Sequence, residues 1–265
     1  MTRLGTPGFT AEPQAIQPIA DTLMNLKDIT VIVPTRNEVQ NIVTFLGSLP
    51  DEVNLVVVDA SDDATASLVR RRRPQRTSVF EEPGTITQAR QFGANVAATA
   101  WLVFTDADVT FHAEYFQRLC RHDGWHAVYG PKQSHHEFKR YYRWFAYGQH
   151  LSHRLGAPAA TGSNLAVRRD VLHAVGGFDR ELVCNEDSEF VWRVKRAGFA
   201  VSYDPNLIVY AHDQRRLYRG LWRKSVHSIA RCALLFFNAM PSRWRGSDWG
   251  YWSPPAKRPI GTPPR

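Results

Sequence analysis

The sequence predicts an α/β protein: a mostly parallel central sheet flanked by helices, with a further amphipathic helix near the C-terminus. Three observations carry that expectation. Between residues 29 and 120, short β-branched and apolar runs alternate with segments of helical spacing, the pattern of βαβ units. The second and fourth of those runs end on acidic residues, at the edge where open α/β sheets bind their ligands. The chain has 265 residues, 43% hydrophobic and 22% charged, enough for one large domain or two small ones of ordinary globular composition.

The elements follow in order. Residues 1–28 are polar, hold several prolines and glycines, and form an arm without clear period. Ile29-Thr-Val-Ile-Val33 is a strand ended by Pro34. Val39, Ile42, Val43, Phe45 and Leu46 recur at helical spacing and predict a helix over 38–49. Val53–Val58 is a second strand closing at Asp59. Ala64–Arg73 is helical, its four terminal arginines suiting a solvated helix end favoured by the macrodipole. Ser78–Phe80 is a short strand, Thr85–Thr99 a helix with small residues on one face, and Trp101–Phe104 a buried strand. Beyond residue 120 the regularity loosens. Leu165–Val167 is strand-like, and the short helix after it stops at Gly176-Gly177. Asn185 is placed to cap a helix over 186–198. Val201–Tyr210 is a strand interrupted by Asp204-Pro205-Asn206, and the Pro- and Trp-rich residues 241–265 form a loop.

The formal charge is +8, which admits anionic lipid, nucleic acid or phosphorylated small molecules as partners. No nucleic-acid module is evident and the basic residues gather in one late helix, so nucleic acid is not expected. Cys120, Cys184 and Cys232 lack CxxC spacing, which suggests neither zinc nor a disulfide framework and makes a reducing cytoplasm the default. The first thirty residues do not have the form of a signal peptide. The longest apolar run, Cys232–Phe237, is far short of the roughly eighteen residues a membrane span needs.

The motif with the most chemistry is Thr105-Asp-Ala-Asp108, which places two carboxylates directly after a buried strand. Carboxylate oxygens suit Mg²⁺ or Mn²⁺, which in turn hold phosphates. On their own, Asp106 and Asp108 are equally well explained as turn formers.

Seven segments in order resemble the family-2 glycosyltransferases of GT-A (Rossmann-like) fold over roughly residues 29–215. They are Val31-Ile-Val-Pro-Thr-Arg-Asn-Glu38, Val57-Val-Asp59-Ala-Ser-Asp-Asp63, Gly84–Asn95, Thr105–Asp108, Gly162-Ser-Asn164, Gly176-Gly-Phe-Asp179, and Asn185-Glu-Asp187 with Arg193. The resemblance implies a nucleotide-diphosphate sugar donor, UDP- or GDP-linked, and a hydroxyl acceptor on a glycan, a lipid or a lipid-linked sugar. It implies that Pro34, Thr35, Arg36 and Glu38 form the rim for nucleobase and ribose, and that Asp59 faces the nucleoside. Many members carry a second acid where this chain has Ala60. Arg90 falls near the diphosphate, Asp108 ligates the divalent cation, Asp106 assists ribose or metal, and His212 stands where many relatives supply a third ligand. Asp187 matches the catalytic base, and its place in the first turn of a helix leads us to expect an ionised carboxylate. Attack opposite the leaving group implies inversion.

Two segments leave alternatives open. Residues 135–155 mix aromatics with His135, His136, Arg140, His150, His153 and Arg154. They fit either an acceptor surface or, preferably, a helix packed through Tyr141, Trp144, Phe145 and Tyr147, with His150 and Arg154 toward the cleft. Over residues 216–240, Arg216, Arg219, Arg223, His227 and Arg231 form one helical stripe. This describes a helix on an anionic membrane surface, or one packed on the domain with a solvated basic edge. Arg193 is either an i,i+4 partner of Glu189 or a residue near the site. The expected organisation is therefore an arm (1–28), a catalytic domain (29–215, with a nucleotide-sugar half to 120 and an acceptor half after it), the basic helix (216–240) and a tail (241–265). The expected location is cytoplasmic, peripheral on the inner membrane face. The competing functions are an inactive nucleotide-sugar binder of the same fold and a sugar-nucleotide pyrophosphorylase. Pro34–Glu38 argues against the second, because it stands where those enzymes carry a glycine-rich signature.

Overall fold

The computed structural model describes residues 24–135, 137–212 and 221–247. Seven strands form the main sheet: β1 (Ile29–Thr35), β2 (Asn54–Asp59), β3 (Thr77–Glu81), β4 (Trp101–Phe104), β6 (Ala127–Tyr129), β8 (Leu165–Arg168) and β9 (Val201–Tyr203). Their order is β3-β2-β1-β4-β8-β6-β9. Strand β8 runs antiparallel to both neighbours, and the other pairs are parallel. A three-stranded sheet, β5 (Val109–Phe111), β10 (Val209–Ala211) and β7 (Lys132–Gln133), stands beside it. Its strands have two or three residues, too few to leave a period in the sequence.

Helices cover both faces. They are α1 (Ile42–Leu46), α2 (Thr65–Arg72), α3 (Ile86–Val96), α4 (Tyr115–Leu119), α5 (Lys139–Arg154), α6 (Arg169–Ala174), α7 (Glu186–Arg196), α8 (Leu221–Phe236) and α9 (Ser242–Arg245). Strand alternation divides the core. Ile29, Val31 and Val33 join Phe45, Val69 and Tyr115 on one side of the sheet, whereas Ile32 joins Phe104, Phe178 and Phe190 on the other. The small face of α3 has a direct cause: a Cβ on Gly93 would meet Ile32 Cγ2 at 2.4 Å, so only glycine lets α3 lie this close to β1. Thr85 caps α3, its hydroxyl accepting from Gln88 N (3.2 Å) while Gln88 Oε1 accepts from Thr85 N (2.9 Å).

Several expectations are corrected by tertiary contacts. The helix expected over 38–49 shortens to α1, because Glu38 O closes a turn with Asn41 N and Ile42 N (both 2.9 Å). Arg73 is buried rather than solvated, donating to the carbonyls of Pro50 (2.6 Å) and Val53 (3.0 Å). Asn185 precedes α7 but does not cap it. It adopts a left-handed backbone (φ 63°) and turns its amide to Ser228 Oγ and Cys232 Sγ. Arg193 holds Glu189 and the carbonyls of Val175 (2.6 Å) and Gly177 (2.7 Å), so its role is to tie α7 to the glycine turn. The interrupted strand over 201–210 is two strands in different sheets. Residues 241–265 are not all loop, because Ser242–Arg245 forms α9 and Arg245 pairs with Asp179.

The basic stripe of the last long helix is altered most. Arg216 and Arg219 lie outside the described residues. Arg231 is 0% exposed and donates to the carbonyls of Ser247 (2.6 Å) and Trp244 (3.2 Å). Leu235 and Met240 pack on Leu182 and Trp192. Outward instead are Val226, Ile229 and Phe237, the last 76% exposed. Helix α5 packs through Tyr142, Tyr141 and Gln149, whereas Trp144, 70% exposed, and Phe145 and Tyr147 do not pack as expected and face out.

Candidate active site

The site is assembled at the carboxyl edge of the main sheet. Register sets Thr35 beside Asp59, and Ile32 beside Phe104, so the ends of β1, β2 and β4 share one rim. Asp59 is buried and accepts from the hydroxyls of Thr35 and Ser61, which locks the first two strand ends together. Backbone bonds of Asn37 to Ser61 Oγ (2.8 Å) and of Glu38 to Thr65 Oγ1 (3.1 Å) hold the Pro34–Glu38 segment against the next loop. Arg36 is exposed there.

Beyond β4 the two aspartates separate in role. Asp106 accepts from Arg90 Nη2 (2.8 Å) and from the Ser163 hydroxyl. Arg90, buried on α3, also grips Glu186 at the start of α7. Burial opposes the Arg90 charge, but Glu186, Asp106 and Asp187 together hold it above its ordinary pKa. Gly162 makes room for this cation: a Cβ there would lie 2.2 Å from the guanidinium. Asn164 is the anchor of the same segment, accepting from Tyr115 Oη (2.7 Å) and donating to Leu207 O (2.6 Å).

Asp187 accepts from Gly162 N (2.6 Å) and Ser188 N (2.7 Å). Burial, then the neighbouring Glu186 charge, push its carboxyl up to about 7 despite Arg90 and these two bonds. Burial thus works against the ionised form that the helix start is expected to favour.

Asp106, Asp108, Arg90 and Asp187 line one cavity of about 810 Å³. Pro34–Glu38 and Asp59 lie outside its lining, along the rim. His150 and Arg154 do not line it either. Helix α5 contributes Trp144, Phe145, Gly148 and Gln149 instead, and α8 faces it from the other side. Sequence reasoning missed Lys132, whose Nζ lies 3.5 Å from Asp108 Oδ1 and 3.4 Å from Ser163 Oγ. It sits on a two-residue strand, and no local pattern marks it.

The expected ligands of a divalent cation do not gather as a protein-only cage. His212 bonds through its ring to Thr110 Oγ1 (2.8 Å), and its backbone N–H bonds Asp108 O (2.8 Å). Among the described residues no three His, Cys, Asp or Glu side chains form a group that could hold a metal ion. Asp108 Oδ1 nonetheless suits such an ion: it is buried and makes no hydrogen bond, its cationic neighbour being the Lys132 ammonium at 3.5 Å. Magnesium-type sites commonly need only one or two carboxylates, with substrate phosphates completing the shell.

A mostly parallel sheet with an acid-rich carboxyl edge, one antiparallel strand and a small second sheet defines the GT-A class. The chain belongs to glycosyltransferase family 2, whose model, described as glycosyltransferase like family 2, matches residues 27–228. It is 28% identical to the pre-mycofactocin glycosyltransferase of Mycobacterium tuberculosis over 84% of this chain and 49% of that protein. It is 25% identical to the succinoglycan biosynthesis protein ExoA of Rhizobium meliloti, over 80% and 71%. The chain thus spans about half the length of the first of these relatives. Among solved structures it is similar to the mannosyltransferase PcManGT from Pyrobaculum calidifontis in complex with GDP-Man and Mn²⁺. The TM-score there is 0.62 at 21% identity, covering 82% of this chain and 67% of the other. S. aureus TarS in complex with UDP-GlcNAc gives 0.56 at 19%, over 70% and 58%. These two likenesses are of fold.

Proposed function

We propose that the protein transfers a sugar, with inversion, from a UDP- or GDP-linked donor to a hydroxyl acceptor, with Asp187 as general base. The observation that carries this reading is the shared cavity: Asp108 and Asp187 open onto the same space, one suited to the diphosphate and one to the incoming alcohol. Pro34, Thr35, Arg36, Glu38 and Asp59 hold the nucleoside along the rim. Asp187 takes the acceptor proton as the acceptor oxygen attacks the anomeric carbon. The bond from that carbon to the diphosphate oxygen breaks, and the diphosphate leaves with the electron pair. Arg90 and Lys132 put positive charge at the diphosphate end. Asp108, with Asp106 beside it, would hold a divalent cation, Mn²⁺ or Mg²⁺, which would supply Lewis-acid stabilisation of the departing charge. The inactive-binder alternative is disfavoured by the retention of all three acids around one cavity, and family membership argues against a pyrophosphorylase.

Asp108→Ala removes the carboxylate that faces Lys132 in the cavity. Calorimetric titration of UDP- and GDP-sugars with Mn²⁺ is expected to lose its metal-dependent component. Metal-dependent binding equal to the parent protein rejects Asp108 as ligand.

The pH dependence follows from Asp187. A base must be ionised, so log kcat/KM is expected to rise with pH and level off above about 7. Stability runs the other way. A carboxyl whose pKa is raised from 3.8 to about 7 by folding contributes fully below the lower value, and that contribution is lost as pH rises through the upper one. A rate profile that is flat from pH 5 to 8 contradicts the assignment.

No helix among the described residues is long and apolar enough to cross a membrane. We place the protein peripherally on the inner membrane face. The support is the exposed apolar side chains on α5 and α8 or just past them, Trp144, Leu151, Leu155, Ile229 and Phe237 among them.

A further inference from the structure

We propose that Gln149 and Thr161 hold a second hydroxyl of the acceptor, beside the one that Asp187 deprotonates, so that the acceptor is a sugar or another polyol and not a monohydric alcohol. The inference rests on the transfer reading above and specifies its second substrate. Residues 157–160 form a ledge clamped between α5 and α7, because side chains of the two helices take its carbonyls in turn. Ser152 donates to Ala157 O, Trp192 Nε1 to Pro158 O (2.6 Å), Gln149 Nε2 to Ala159 O (2.7 Å) and Ser188 Oγ to Ala160 O (3.1 Å). Thr161 comes next, and the N–H of Gly162 then binds Asp187 (2.6 Å). The ledge is fixed from both sides, so the polar atoms it leaves over stand in set positions.

Two such atoms are left. Gln149 is 2% exposed, and an amide so buried is costly unless both of its ends are used. A carbonyl can only accept, so Ala159 O fixes the amide nitrogen toward the ledge and turns Oε1 away from it. Gln149 Oε1 and Thr161 Oγ1 are buried and have no hydrogen-bond partner, and both residues line the cavity that Asp187 lines. The amide oxygen only accepts, so what completes it is an O–H or N–H brought by a ligand, and the threonine hydroxyl can take either part. Three residues of chain separate the carbonyl that Gln149 holds from the N–H that Asp187 holds, a reach of at most about 11 Å. A substrate with its reacting hydroxyl at Asp187 therefore has its neighbouring hydroxyl within range of these groups. Buried oxygens that are paired only when the substrate arrives discriminate against an alcohol lacking the second hydroxyl. The volume, about 810 Å³, lies in the range of pockets that enclose whole small molecules.

Methyl β-glucoside, methyl α-mannoside and methyl β-galactoside are the probes, with cyclohexanol as the ring that bears one hydroxyl. Trp144 and Trp192 line the cavity and report binding by their fluorescence. At least one glycoside is expected to shift the emission saturably and to bind about tenfold more tightly than cyclohexanol, or better. Thr161→Val keeps the side chain's shape and removes a hydroxyl that makes no hydrogen bond among the described residues, so its thermal midpoint is expected to match the parent's. Gln149→Met removes the amide at similar length. Each is expected to weaken that glycoside about fivefold or more while changing cyclohexanol less than about twofold. A purely structural role moves both ligands together. Thr161→Val decides alone if Gln149→Met does not fold. The proposal is overturned if no glycoside saturates, if cyclohexanol binds as tightly as the best of them, if Thr161→Val binds that glycoside as the parent does, or if both ligands weaken alike. It is also overturned if the variants weaken UDP-glucose or GDP-mannose as much as the glycoside, which assigns the two residues to the donor. Thermal shifts with UDP and GDP separate the two readings. Absent glycoside binding with nucleotide shifts intact sinks only this inference. Glycoside binding without any nucleotide shift sinks the transfer reading.

Discussion

Asp187→Asn is expected to lower turnover by about 10²–10⁴ while leaving donor affinity near that of the parent protein, the usual worth of a positioned general base. The substitution preserves shape and removes the proton-accepting charge. Of the two backbone donors that now face the carboxylate, Gly162 N and Ser188 N, the amide oxygen satisfies one, and its NH₂ opposes the other. Some local rearrangement follows at the start of α7. The proposed diphosphate end is built on Asp106, Asp108 and Lys132, whereas the hydrogen bonds of that carboxylate go to Gly162 N and Ser188 N. Initial rates at saturating donor, set beside a donor titration, separate the two effects. A rate close to the parent's removes Asp187 as base, and a parallel loss of donor affinity means that it holds the donor instead. The variant's remaining activity should also lose the rise with pH through about 7 that Asp187 imposes.

The second large effect is on stability. Arg90→Met should destabilise the fold by about 3–5 kcal/mol, the range for removing one partner of a buried ion pair. Arg90 neutralises Glu186, itself buried, and Asp106 at once. Methionine covers similar apolar length but leaves both acids without their cation. The loss should appear as a lower urea midpoint at neutral pH and shrink in acid, where carboxyls take up protons. A second readout follows from the same charge. Arg90 holds the Asp187 pKa down, so the activity remaining in a folded Arg90 variant should need a higher pH than the parent's. An unchanged urea midpoint and an unchanged pH profile together would show that Arg90 does not organise the acidic cluster.

Much of this arrangement was legible in single segments. The strand ends at Asp59 and Phe104, the glycine stop at Gly176-Gly177, and the acidic starts of Asp106–Asp108 and Glu186–Asp187 are local patterns. Each is written within a window of a few residues, because backbone sterics and capping operate at that range. Less legible were residues whose partners lie far away. Arg90 meets Glu186 across 96 positions. Lys132 approaches Asp108 from a strand of two residues, and Asn164 joins Tyr115 to Leu207. Within the basic stripe, Arg231 departs from the expected exposed edge for the same reason. Spacing shows which residues share a helix face but not what that face meets, and Arg231 meets the carbonyls around α9 instead of solvent.

The amino-acid order by itself determined the α/β alternation, the parallel start of the sheet and the acids at its carboxyl edge, since hydrophobic period and turn chemistry act between near neighbours. Only the tertiary structure decided that Arg90 is locked between two carboxylates, that Asp187 titrates near 7, and that α5 and α8 wall a largely apolar chamber above it. Burial and the distances between charges set those properties, and both come into being only when segments about a hundred residues apart are packed together.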